Sequence, residues 1–199
     1  MPDTGAPWNI PYVQSSDLVS DWPADSLALA NAIDSGLDAA GGLVAVKHAL
    51  FTGTQTNSTA GGANFAVTDL SITHEVADAA NSLIITATLG VAANSGDTGR
   101  VGVAVDDGSG LVGAGTASGS RTVLSAGGRP DDGGNTQITA SLSTTFVITP
   151  GSGSKTYTVR CVNLETTTKT LFVNRAEGDA DSQGSPRGIS SLVIQEVKV

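Results

Sequence analysis

Aromatic residues make up only 4% of this 199-residue chain, cysteine occurs once, and no lysine or arginine precedes Lys47. Each scarcity excludes something. With so few bulky rings, a core must be assembled from Val, Leu, Ile and Ala in thin, evenly packed layers. The lone Cys161 forms no internal disulfide and supplies no metal pair. Tyr157, Val159 and Cys161 alternate on one face of a strand-like run, so the thiol is expected to be buried and structural. A formal net charge of -9 argues against the phosphate neutralisation that dominates nucleic-acid binding and against a polybasic membrane contact. No apolar run approaches the roughly 20 residues that span a bilayer, so no membrane insertion is expected. The first residues lack the charged and apolar regions of a secretory leader, and the expectation is a soluble protein not exported by the usual route.

What is present divides at about Leu43. From there the chain alternates apolar and polar positions, and its segments are rich in Val, Ile, Thr and Leu. The expected strands are 43–50, 65–75, 82–91, 100–105, 121–125, 137–149, 155–163, 170–175 and 191–199. Breakers such as Gly61-Gly62, Asp106-Asp107-Gly108, Gly127-Gly128 and Pro150-Gly151 separate them. Eight or nine strands without intervening helical periodicity predict an all-β, jelly-roll-like β-sandwich over residues 43–199. No repeat of fixed period points to a solenoid or propeller.

Residues 1–42 follow a different pattern. Pro2, Pro7 and Pro11 and the lack of periodicity predict an extended arm over the first 20 or so residues, with Trp8, Ile10 and Tyr12 as side chains that need a partner to cover them. Asp21 is the candidate N-cap of one short helix, Trp22 is a further apolar anchor, and Pro23 sits in the first turn. The helix is expected over 26–40, ending at Gly41-Gly42. Leu29, Ala30, Ile33, Leu37 and Ala40 form its apolar stripe. A helix of this length is marginal alone in water, so the stripe packs either on its own β-domain or against the same helix of two other copies.

The motifs that would carry chemistry do not close. Gly108-Ser109-Gly110-Leu111-Val112-Gly113 has the glycine spacing of a dinucleotide fingerprint, but the Gly-rich continuation cannot start the helix that a pyrophosphate needs. Gly151 to Thr156 ends in Lys-Thr like a phosphate loop, yet Ser154 stands where the last glycine is required, so a hairpin turn is expected. Glu177 to Gly184 begins like a calcium loop but places Ser190, not Glu, at the twelfth position from Asp179. Asp106-Asp107 and Asp131-Asp132 are doublets whose neighbours point to opposite faces of a strand, which suits turns better than the paired acids of a glycosidase. His48 and His74 fall in different expected strands and are taken as lone polar residues. Asn57-Ser58-Thr59 has the pattern of a glycosylation site and is expected in a loop. No catalytic set, no metal site and no cofactor is therefore expected.

The N-terminal stretch Gly5-Ala6-Pro7-Trp8-Asn9-Ile10-Pro11-Tyr12, continuing through Asp17-Leu18-Val19 to the run Ala30 to Ala40, resembles the N-terminal segment of tail-fibre and other minor virion proteins of tailed bacteriophages. The C-terminal stretch from Phe172 through Pro186-Arg187-Gly188 to Val197 is similar to the β-rich tip domain of such proteins. The resemblance covers about 70 residues at the two ends. It implies a homotrimer in the virion, tail or capsid surface, docked on other virion proteins through residues 1–42 and projecting the β-domain towards a host surface glycan. Within the end-matching stretch, Asn174, Arg175, Asp179, Asp181 and Arg187 form a polar cluster. Its two readings are an Arg–Asp network pinning the last hairpin, which is preferred, and a set of ligand contacts. The implied function is a non-enzymatic tail fibre. The alternatives are a capsid decoration, cement or head-fibre protein, and a polysaccharide-degrading spike.

Overall fold

A computed structural model of the chain describes residues 22–39, 42–94, 99–130, 139–179 and 185–199. The chain separates into two compact units, Met1–Leu43 with Lys198–Val199, and Val44–Val197.

In the first unit, α1 spans Trp22–Ala39, beginning four residues before the expected start. Proline is tolerated in a first turn because the N–H it lacks has no partner inside the helix, and here Pro23 is the second residue of α1. Leu27 is 62% exposed and Ile33 44% exposed, and Leu29 is half-buried. Ala30 is also exposed. Lys198 N–H donates to Gly42 O at 2.9 Å, tying the two ends of this unit.

The second unit is a β-sandwich of antiparallel strands. They are β1 Leu43–Phe51, β2 Gln55–Thr59, β3 Asn64–Val76, β4 Ser82–Ala93, β5 Val101–Asp106, β6 Leu111–Val112, β7 Ala126–Gly128, β8 Ala140–Ile148, β9 Gly153–Asn163, β10 Lys169–Val173 and β11 Ser190–Val197. One sheet runs β1-β11-β4-β10-β2, with β8 on the other side of β4. The registers resolve that path into four rows. β11 pairs with Ser82 to Thr88 of β4, and β10 pairs with Val91 to Ala93 on the same edge. Hence β10 and β11 lie end to end, as do their neighbours β2 and β1. The other sheet runs β3-β9-β5, with β6 and β7 sharing the far edge of β5. Counting each end-to-end pair as one strand gives eight strands, with the first beside the last in one sheet and the second beside the seventh in the other. That is the order of a jelly roll.

The inner faces follow the period of two. Leu83, Ile85, Ala87, Leu89 and Val91 of β4 meet Val101, Val103 and Val105 of β5 and Tyr157, Val159 and Cys161 of β9 in one continuous core. Leu192 and Ile194 of β11 are fully buried, each contributing about 1.5–3 kcal/mol of transfer free energy. The edge strand β3 carries an irregularity between Ala66 and Ser71. There Asp69 adopts a positive φ of 57°, and the Gln55 side chain bridges the break by donating to Ala66 O and accepting from Thr68 N–H. Such a break spoils an open edge for further pairing.

Three expectations are corrected. Residues 121–125 are not a strand, because Ser125 N–H bonds to Val103 O only as the chain enters β7, and the ladder with β5 starts at Ala126. Asn57-Ser58-Thr59 is not a loop but part of β2, where backbone pairing to β10 overrides its polar composition. The strand expected over 170–175 ends at Val173, since Asn174 turns to φ 59°.

Candidate functional site

Titratable side chains collect at one end of the sandwich. His74 of β3 and Lys155 of β9 are direct cross-strand partners, and Tyr157 lies two residues along on the same inner face. Asp107 follows β5, and Glu196 comes from β11 of the opposite sheet. His74 Nε2 and Glu196 Oε2 are 2.8 Å apart, with side chains 2% and 1% exposed. The other carboxylate oxygen of Glu196 accepts from Ala77 N–H at 2.8 Å and Asn81 Nδ2 at 2.7 Å. One buried carboxylate thus joins the two sheets and holds the β3–β4 connection. Burial opposes its ionisation, but donation from Asn81, Ala77 and His74 outweighs burial and holds Glu196 below the usual carboxylate range.

Lys155 Nζ donates to Asp107 Oδ2 at 2.6 Å. The Ser109 hydroxyl and N–H both donate to Asp107 Oδ1. Burial again opposes the charge, and the bonds from Lys155 and Ser109 win, leaving Asp107 at about 2. Burial, then the neighbouring Asp107 charge, pushes the Tyr157 hydroxyl up to about 12. Burial likewise lifts the Cys161 thiol to about 12, which makes it a poor nucleophile. A His–carboxylate pair is the orienting half of a nucleophilic triad, whose third member would sit at the free ring nitrogen. His74 Nδ1 has no hydrogen-bond partner among the described residues. The arrangement ties elements together, and among the described residues no nucleophile is hydrogen-bonded to His74 Nδ1.

The second cluster lies in the excursion between β10 and β11. Arg187 Nε and Nη2 donate to Asp179 Oδ1 at 3.2 and 3.0 Å, and Arg175 Nη1 reaches Asp179 Oδ2 at 3.4 Å. Arg175 also donates to the carbonyls of Ala176 and Glu177, and its guanidinium lies 5.0 Å from the centre of the Phe172 ring. Asn174 is buried. Its Nδ2 donates to Phe51 O at 2.7 Å and Gly53 O at 3.0 Å, and its Oδ1 accepts from Ser190 Oγ at 2.6 Å. The structure therefore brings Arg175, Asp179 and Arg187 together at the surface and draws Asn174 inside. Asp181 lies outside the described residues, as do Trp8, Ile10, Tyr12, Ala40 and the Asp131-Asp132 doublet. Trp22 and Leu37 fall within the backbone of α1.

The remaining motifs have plain geometry. Asp107 N–H bonds to Gly110 O and β6 pairs back on β5, so residues 106–112 form a hairpin, with no helix following it. Asp106 sits on the opposite face from Asp107, 3.3 Å from Arg160. His48 is exposed on β1. His74 is not the lone polar residue expected; its partner stands 122 positions later, beyond any local spacing signal. Among the described residues, no group of three or more His, Cys, Asp and Glu could hold a metal ion. No described helix is long and apolar enough to cross a membrane.

No protein-family model matches the chain, and no curated protein does. Among solved structures the chain is similar to the crystal structure of the infectious bursal disease virus VP2 subviral particle, at 12% identity and a TM-score of 0.36. That match covers 78% of this chain and 40% of the viral one, so the chain spans well under half of that protein's length. A likeness this weak carries no argument about function.

Proposed function

We propose that the chain is a structural component of a tailed-phage virion, a homotrimeric tail fibre held on the particle by residues 1–42 and presenting the β-domain to a host surface glycan. The observation that carries the reading is the contrast between the two units. The sandwich closes its own core, whereas α1 leaves Leu27 and Ile33 in water. A segment with that exposure gains stability only from a partner. The arm preceding it adds Trp8, Ile10 and Tyr12, and six aspartates precede the first basic residue, so the docking surface on the particle is basic or uncharged. The sandwich chemistry accords with a non-enzymatic role, since the buried carboxylates Asp107 and Glu196 are taken up by internal partners. Jelly rolls serve many functions, so the fold supports this role without specifying it.

Deleting residues 1–20 is expected to leave a folded β-domain and abolish incorporation into particles. Particles that still carry the truncated chain would overturn the reading. Copy number per particle separates the fibre, at a dozen or two, from a capsid decoration present in hundreds. Release of reducing sugar from host polysaccharide would replace both with a degrading spike.

A further inference from the structure

The two outer faces of the sandwich differ in charge. On the β3-β9-β5 sheet the outward positions include Glu75, Arg160 and Asp106, the last two forming an ion pair. On the opposite sheet, the outward positions of β1, β11, β4 and β8 include no Lys, Arg, Asp or Glu at all. They hold Val44, Val46 and Leu50 of β1, Val193 of β11, Ile84 of β4 and Val147 of β8, set among Ser, Thr, Gln, Gly and His48. Val46 is 51% exposed, Leu50 53% and Val147 62%. The one cation of β1, Lys47, turns the other way and donates to Thr73 O of the facing sheet.

We infer that this uncharged face is the surface through which copies of the chain associate. Depletion of charge with exposed aliphatic side chains is the signature of an interface centre, not of a solvated sheet. The choice of a second copy follows from charge. The chain carries a net -9, so two copies repel wherever their acidic surfaces meet, and this face lets them approach without burying like charges. The hydroxyls beside the aliphatic residues pair with each other, Thr86 with Thr145 and Thr88 with Ser143, so covering the face leaves only one O–H of each pair for the partner copy to satisfy. From strand spacing and rise, the four-strand face measures roughly 19 by 23 Å, about half of the ~800 Å² that each partner gives to a standard interface. It is therefore one contact of a small assembly.

The test is the mass of the full-length chain in solution, by sedimentation or light scattering. The wild type is expected to be oligomeric, and Val46→Glu/Val147→Glu is expected to lower the mass towards the monomer with an unchanged far-UV circular dichroism spectrum. Thr156→Glu, on the outer face of the other sheet, is expected to leave the mass unchanged. If the double glutamate variant misfolds, Val46→Thr/Val147→Thr should still raise the dissociation constant at least tenfold. A monomeric wild type overturns the inference. So does an oligomer that survives the sandwich substitutions but dissociates with Ile33→Glu, because association would then belong to α1 alone. Since no part of this depends on a particle, its failure is separable from failure of the virion reading.

Discussion

Glu196 Oε2 lies 2.8 Å from His74 Nε2, joining the last strand of the chain to the edge strand of the opposite sheet across 122 positions of sequence. Removing the Glu196 carboxylate leaves His74 Nε2, Ala77 N–H and Asn81 Nδ2 buried without their partner, which costs far more than the contacts contribute. Glu196→Ala is expected to destabilise the sandwich by about 3–5 kcal/mol, read as a lowered urea midpoint at unchanged slope. Glu196→Gln is expected to recover part of that loss, because its amide oxygen can still accept from Ala77 N–H and Asn81. Equal stability of wild type and Glu196→Ala would show that the carboxylate is solvated.

Asp107 is expected to contribute to the acid sensitivity of the fold. Its folded value of about 2 lies below that of a free aspartate, near 3.9. Its contribution is therefore complete above about pH 4 and lost as pH falls through about 2. Glu196, also held low, adds loss in the same direction. Thermal melts between pH 6 and 2 are expected to show a falling midpoint below pH 4, and Asp107→Asn to flatten that fall while lowering stability at pH 6. An Asp107→Asn melt with the same acid slope as wild type would remove this residue from the explanation.

Asn174 combines a left-handed backbone with a fully used side chain. Asn174→Gly keeps the φ of 59° available but deletes the bonds to Phe51, Gly53 and Ser190. Asn174→Ala loses the same bonds and adds backbone strain of about 1 kcal/mol. Both variants are expected to lose about 2–4 kcal/mol, with alanine the worse of the two. Denaturant titration ranks them, and glycine at wild-type stability would mean that the side-chain bonds contribute nothing.

The sandwich was legible wherever burial and alternation coincide. β4 and β11 alternate buried and half-buried positions almost without a break, and their limits were expected to within two residues. β2 was invisible because Gln55-Thr56-Asn57-Ser58-Thr59 has no apolar residue to alternate, and only the backbone of β10 makes it a strand. β7 was displaced because its residues, Ala126-Gly127-Gly128, have almost no side chain; Leu124 drew the expectation upstream, and its side chain occupies the space beside Gly102 and Gly127. The polar end was illegible for a different reason. His74, Lys155, Asp107 and Glu196 come from four strands or strand ends, and only sheet order brings them together. The Arg175, Asp179 and Arg187 grouping was visible because it is local, whereas nothing in the spacing says that Asn174 turns inward.

β11 is the last strand in sequence, yet it is an interior strand, flanked by β4 on one side and β1 on the other. Until Val197 has left the ribosome, β1 has no neighbour to pair with and the apolar side of β4 stays uncovered along the stretch that Leu192 and Ile194 will fill. Closure of this sheet must therefore wait for β11, and until then the nascent chain carries two unsatisfied strand edges. Any truncation within the final eight residues of β11 removes the centre of a sheet rather than its margin.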